Sequence, residues 1–300
     1  MTLTTTTKDF TIVVKRFEDQ DPRLGRNVLH DSRSLDFQVQ PKSVSTLRSV
    51  RHETRLPVLD QGAYLPPGAT NRISLGSCTG NAGTNVLGTD KFLATDVVKQ
   101  RLSLTDADHD EQFAVVLYSL ATTLDPYSGT YPPTDTGSNG LSIAKALQKL
   151  GLISGYQHAT SLAAALTALN DQACMVGTIW RGDMFNPMSD GRLKITGNIE
   201  GGHEYKLDEL DVENKRVWIL NQWGLDWGIN GRAYLTWDDL GTLLANQGDC
   251  TVLTPVTQPA PTPSPAPAPP APAPTPAVDV NAEFVNNVRA ALAKLDSAKH

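Results

Sequence analysis

The chain has 300 residues, 40% of them hydrophobic and 19% charged, with a formal net charge of -6 and a pI near 5.5. That acidity removes the electrostatic basis for nucleic-acid binding, which requires clustered Lys and Arg against phosphate; the basic residues Lys15, Arg16, Arg48, Arg55 and Lys206 are scattered among acids. No stretch approaches the roughly 20 apolar residues that span a bilayer, and three cysteines build no disulfide framework.

In chain order, the threonine-rich start lacks a basic opening and an apolar run, so no secretory signal is read; a cytoplasmic or virion-associated location is the expectation. Residues 1–55 read as an arm, with a strand-like Phe10-Thr11-Ile12-Val13-Val14 and then a polar run through Arg23, His30, Asp31 and Arg33. From Leu56 the pattern strengthens. A Gly- and Pro-rich loop over 62–77 precedes small and apolar residues that predict a buried helix over 78–94, with Cys78 at its N-terminus. A second helix is predicted from about Asp110, carrying Phe113, Val116, Leu117 and Leu120 on one face and ending before Asp125-Pro126.

Asp106, Asp108 and Asp110 imitate the start of a calcium loop. Glu111 stands where that loop needs Gly and Leu117 where it needs Glu, so the trio reads as an acidic helix start. The Cys and His spacings match no zinc pattern, and neither metal nor cofactor is expected. A turn-rich 127–140, expected to wall a cleft, leads to helices over 141–150, stopped by Gly151, and 161–170. The period then changes: 174–180, 202–207, 217–221 and 232–236 are short β-rich runs. Helices first and strands second predict an α+β fold.

Alternating Pro and Ala after Pro255 favour extended polyproline II, which makes 255–277 a linker. Beyond it Val285, Val288, Leu292 and Leu295 share one face of a short helix over 278–300 capped by Asp279 or Asn281. Such a helix is marginal alone, so docking or self-association through 279–296 is expected. The organisation is thus an arm (1–55), a domain (56–254), a linker and a terminal helix. Cys174 and Cys250 lie in apolar surroundings that suit inert buried thiols, with a bridge between them left open.

Cys78, in Leu75-Gly76-Ser77-Cys78-Thr79-Gly80, is the thiol placed for chemistry, because a helix N-terminus lowers a thiol pKa toward the reactive thiolate. Of six histidines, His203 has the strongest setting: it follows Gly201-Gly202 and opens an apolar strand. Asn221 ends another strand and precedes Gln222-Trp223-Gly224; its amide oxygen suits one imidazole nitrogen, leaving the other for sulfur, with Trp223 as a shield.

These motifs, together with Gln61-Gly62 and the run through Trp227-Gly228-Ile229-Asn230-Gly231, resemble a papain-like cysteine peptidase over about 56–253. The intervals from Cys78 to His203 and Asn221 approach the roughly 130–150 residues of papain and cathepsins. The resemblance implies a helical subdomain led by the nucleophile helix, an antiparallel β-barrel-like subdomain and a cleft between them. It implies Cys78 as nucleophile, His203 as base and then acid, Asn221 as orienter and Gln61 as oxyanion donor with the Cys78 backbone N–H, acting through a thioester on a peptide or protein. The motif style is that of bacterial and bacterial-virus members.

The departures matter equally. Residues 63–74 insert a loop between Gln61 and Cys78, Thr79 replaces an aromatic residue, Leu75 replaces a cysteine, and Gln222 replaces a serine. Glu204 follows His203 where a small residue is usual, and is expected to point away along its strand. The arm is shorter than the usual pro-domain and is expected to hug the scaffold rather than cross the cleft. Cell-wall peptide amidase and acyl transfer use the same Cys–His core. A catalytically silent binding or structural module of a phage particle or wall assembly is the alternative, favoured by any segment that blocks the cleft.

Overall fold

The computed structural model describes residues 2–6, 11–15, 21–41 and 46–257; most of the predicted linker and the helix predicted over 278–300 lie outside the described residues. Strands β1 (Thr2–Thr6) and β2 (Thr11–Lys15) form a separate antiparallel pair. The helical layer consists of α1 (Cys78–Leu87), α2 (Asp90–Leu93), α3 (Asp96–Lys99), α4 (Ala107–Thr122) and α5 (Gly140–Lys149).

Helix α1 is buried along its whole length. Its small residues explain how: Gly80 lies against Ala114 and Tyr118 of α4, and Gly83 against Leu117 of α4 and Ile143 of α5, where a larger side chain would collide. The helix predicted over 78–94 stops earlier, at Leu87. Gly88 is pressed against Thr54 and Leu56, so the chain turns there, and Thr89 in extended conformation starts α2. The acidic trio is structural: Asp106 caps α4, Asp108 pairs with Arg72 at 2.7 Å, and Asp110 accepts the Ser103 and Leu104 N–H groups.

The second half forms an antiparallel sheet from β3 (Val50–Arg51), β4 (Ile153–Ala159), β5 (Cys174–Arg181), β6 (Ile199–Asp211), β7 (Arg216–Leu220), β8 (Arg232–Thr236) and β9 (Asp249–Pro255). The order is β4-β9-β5-β6-β7-β8, with β3 against β6. The fold is α+β as the sequence predicts, but the sheet stays open. Thr236 caps helix α7 (Trp237–Ala245), which carries the chain off the β8 edge instead of closing a barrel. Helix α6 (Leu162–Asp171) opens with Ser161 as its cap.

Strands β4 and β9 escape the sequence reading because their alternation is broken by Gly155, His158 and terminal Pro255. Three apolar clusters result among the described residues. One joins the helices to one sheet face through Leu117, Ile143 and Met175; a second, with Trp180, Tyr205 and Trp223, fills the opposite face; a smaller third packs Tyr64, Ile73 and Leu75 on Tyr118 and Tyr131. Cys174 and Cys250 are buried free thiols. Among the described residues no helix is long and apolar enough to cross a membrane.

Candidate functional site

The N-terminus of α1 abuts β6, which sets Cys78 against the strand that carries His203; Asn221 and His203 are brought into contact, whereas no hydrogen bond joins the Cys78 thiol to the His203 ring. The loop before Cys78 is fixed from two sides. Gly76 N–H donates to Asp135 Oδ2 at 2.9 Å, and the other carboxylate oxygen accepts from Tyr118 Oη at 2.7 Å. Tyr118 Oη in turn accepts the Gly137 N–H at 2.9 Å, so one tyrosine ties the loop before Cys78 to the 137–138 segment. On the other side Ser77 Oγ donates to Asn81, whose amide donates to buried Glu111 at 2.7 Å. Burial raises the Glu111 carboxyl to about 8, so it is largely neutral at pH 7. Asp135, Tyr118 and Glu111 were missed from sequence: they lie in turns or mid-helix without a motif.

His203 and Asn221 meet as predicted. Asn221 Oδ1 lies 2.7 Å from His203 Nε2 and also accepts the Gln222 backbone N–H at 3.0 Å. Only the oxygen can accept that N–H, so Nε2 carries the proton and Nδ1 holds the lone pair. His203 Nδ1 is buried without a hydrogen-bond partner. The ring is wedged between Trp180 and Trp223, with centroids 4.8 and 4.7 Å away. The next residue's backbone N–H, that of Glu204, donates toward the Cys78 sulfur, which puts the imidazole strand against the thiol.

Gln61 also reaches the site. Its Nε2 donates to Leu75 O at 3.1 Å, and Leu75 N–H returns to Gln61 O at 3.0 Å. The inserted loop leaves and rejoins at a neck closed by Ile73 N–H to Tyr64 O at 2.8 Å. It therefore bulges away without separating Gln61 from the segment that leads into Cys78.

The arm contradicts expectation. Residues 21–27 run through the cleft: Arg26 N–H bonds Gly202 O at 3.1 Å, Asn27 N–H bonds Ser138 O at 2.9 Å, and Ser138 N–H bonds Gly25 O at 2.8 Å. The cleft walls offer unpaired backbone groups at Gly202 and Ser138, and an extended segment satisfies them. Gly25 passes so close to Gly76 that a Cβ would fall inside the Gly76 carbonyl. Its N–H points at the Cys78 sulfur, while the Arg23 carbonyl accepts from Gln61 Nε2 at 2.6 Å. Arg23 stacks on Trp223, 4.4 Å from the ring centroid, and pairs with Asp21 at 2.9 Å.

Glu204 is the second correction. It is fully buried and turned inward, its carboxylate 3.7 Å from Arg26. Strand β6 has buried residues in sequence from Gly202 to Asp208, because both of its faces are covered; alternation sends Glu204 to the helical side, which is also interior. Its carboxyl does not raise the His203 pKa as an inward acid beside the ring would.

Burial governs the electrostatics. With the arm seated, desolvation pushes the Cys78 thiol up to about 12 and His203 down to about 3. The helix N-terminus favours the thiolate by an amount that loses to this burial. Thiol and imidazole are therefore both neutral in the arm-seated state.

By sequence, no family model and no curated protein matches the chain. Solved structures do. Xylellain, a cysteine protease from Xylella fastidiosa, aligns over 81% of this chain and 100% of its own at 14% identity, with a TM-score of 0.54. The fold is papain-like. Digestive procathepsin L 3 of Tenebrio molitor larval midgut aligns over 78% of this chain and 76% of its own at 13% identity, with a TM-score of 0.47. A Carica candamarcensis cysteine protease aligns over 66% and 92% at 14% identity, with a TM-score of 0.40. In this chain the helical layer and the sheet meet at α1 and β6, the elements that carry Cys78 and His203.

Proposed function

We propose that the protein is a cysteine peptidase or amidase held latent by its own arm. The carrying observation is the His203–Asn221 contact with its proton fixed on Nε2, which leaves a lone pair on Nδ1 beside the strand that reaches Cys78. In the mechanism, His203 Nδ1 takes the Cys78 proton and the thiolate attacks the peptide carbonyl. Gln61 Nε2 and the Cys78 backbone N–H receive the oxyanion. His203 then gives its proton to the leaving amine, forming a thioester that an activated water hydrolyses.

Latency follows from the same contacts. The arm uses up the Gln61 amide, covers the sulfur and presents an N–H rather than a carbonyl carbon to it. Displacing the arm would rehydrate both groups and bring the two pKa values together, which favours the thiolate–imidazolium pair. Substrates are peptides or proteins, wall peptides among them.

The filled cleft equally favours the second reading, a silent papain-like module. Gly25→Ala in the full chain separates the two, because the new methyl group cannot share space with the Gly76 carbonyl. A peptidase gains hydrolysis of a fluorogenic peptide mixture on this change and loses it with Cys78→Ala; a silent module hydrolyses nothing in either variant.

A further inference from the structure

Arg26, the arm residue next to Gly25, enters a closed pocket beside the nucleophile. Its guanidinium is buried, 3.7 Å from Glu204 and 3.5 Å from Asp249, and donates to the Gln247 and Val28 carbonyls at 2.6 and 3.2 Å. We propose that this pocket is the specificity site of the enzyme and selects a substrate with an arginine side chain flanking the scissile bond. This rests on the peptidase reading and deepens it.

Three observations carry the assignment. First, the pocket cannot be bypassed. The Gly202 carbonyl that holds Arg26 N–H precedes His203, and the Glu204 N–H reaches the Cys78 sulfur. Any extended peptide docked on that edge across Cys78 places one side chain where Arg26 lies.

Second, the pocket is kept open for a long side chain. At Gly177 a Cβ would run into both Arg26 and Glu204, and at Gly140 into Thr251 and Glu204. Glycine at 177 leaves room for the guanidinium, and glycine at 140 leaves room for the Glu204 carboxyl that faces it.

Third, Asp249 demands a cation. Its Oδ1 is buried without a hydrogen-bond partner, and both Glu204 carboxyl oxygens are buried likewise, with the Glu204 carboxyl raised well above the usual carboxylate range by burial, so that Asp249 supplies the charge and Glu204 a polar group beside it. Around Asp249 stand His30 Nδ1 at 3.4 Å and His158 Nδ1 at 4.0 Å. His158 is held neutral by burial, its pKa lowered to about 4, so it supplies no balancing charge at pH 7. An apolar side chain in this pocket leaves the buried Asp249 Oδ1 without the guanidinium opposite it, a penalty that acts against the wrong substrate. The Gln247 carbonyl, accepting from the guanidinium at 2.6 Å, adds a directional contact that a planar cation with several N–H donors can use and an apolar side chain cannot.

The test has two arms. In the full chain Arg26→Ala empties the pocket, and agmatine or N-acetyl-arginine amide at millimolar concentration is expected to raise its Tm by several degrees. N-acetyl-norleucine amide should not, nor should either guanidine act on Arg26→Ala/Glu204→Gln/Asp249→Asn. This arm needs no catalysis. In the second arm a peptide library is cleaved by Gly25→Ala, or by Arg26→Ala, which also loosens the arm. Cleavage next to arginine should exceed cleavage next to leucine by at least about tenfold, and the preference should vanish with Glu204→Gln/Asp249→Asn. Hydrolysis without an arginine preference, or equal stabilisation by norleucine amide, overturns the inference and leaves the peptidase reading standing. Guanidine rescue with no hydrolysis from either uncapped variant overturns the peptidase reading, and with it the pocket's role in choosing substrate.

Discussion

Two segments compete for the cleft, the loop 63–74 and the arm 21–27, and only the arm enters. The loop sits directly beside Cys78 in sequence, yet it is pinched at Tyr64–Ile73 and drawn outward by the Arg72–Asp108 pair. The arm starts some fifty residues upstream of Cys78 and lies against its sulfur. Complementarity, not proximity, decides. The arm supplies backbone donors and acceptors for the Gly202 and Ser138 edges, a buried cation for Glu204 and Asp249, and a glycine at the one point where a side chain cannot pass. The loop has no such match to the cleft.

The largest effect that sharpens this contrast is the loss of the sulfur itself. In the Gly25→Ala background, Cys78→Ala is expected to abolish peptide hydrolysis, a fall in kcat/KM of about 10³-fold or more. Residual activity at the Gly25→Ala level would break the link between arm and thiol.

Next comes the pH profile. The Cys78 thiol at about 12 with the arm seated leaves a thiolate fraction on the order of 10⁻⁴ at pH 8. Since the raised pKa holds the group protonated, its alkylation rate in the native chain should climb about tenfold per pH unit from pH 6 to 10. With Gly25→Ala the pKa falls toward the ordinary range or below it, so the profile should level off at much lower pH. Parallel profiles in a stopped-flow alkylation series would contradict the arm's control of the thiol.

Gln61 tests whether the loop matters to chemistry. In the uncapped chain Gln61→Ala should lower kcat by about 10²–10³-fold with little change in KM, the signature of a lost oxyanion donor. An unchanged kcat would remove Gln61 from that role. The smallest effect is expected at Arg72→Ala, which cuts the loop's exposed tie to Asp108. Such pairs contribute about 0–1 kcal/mol, and kcat/KM should stay within about threefold. A large change there would mean that the loop, too, governs the cleft.

The legible and illegible parts divide on the same physics. Cys78, His203 and Asn221 stand out as candidates in the sequence because their company is unusual for ordinary turns, two glycines before the histidine and tryptophan and glycine after the asparagine, while Gln61 enters through the family resemblance; the contact of His203 with Asn221 is what the structure adds. Helix α5 and strands β5 to β8 followed from periodicity and stop signals. Glu204 misled because a strand covered on both faces has no outward direction. The arm misled because its anchorage is backbone hydrogen bonding plus one arginine in a polar run, which no periodicity marks. Asp135 and Tyr118 act through single contacts formed only after folding.

The most direct measurement is the rate and position of thiol alkylation at pH 6 in the native full chain and in Gly25→Ala, with the adducts mapped by peptide mass. The account predicts that Cys78 is nearly unreactive in the native chain and labels at least about 10²-fold faster in Gly25→Ala, while the buried Cys174 and Cys250 stay slow in both. Equal, slow labelling of Cys78 in a folded Gly25→Ala chain, or labelling of Cys78 no faster than Cys174 and Cys250, would contradict it.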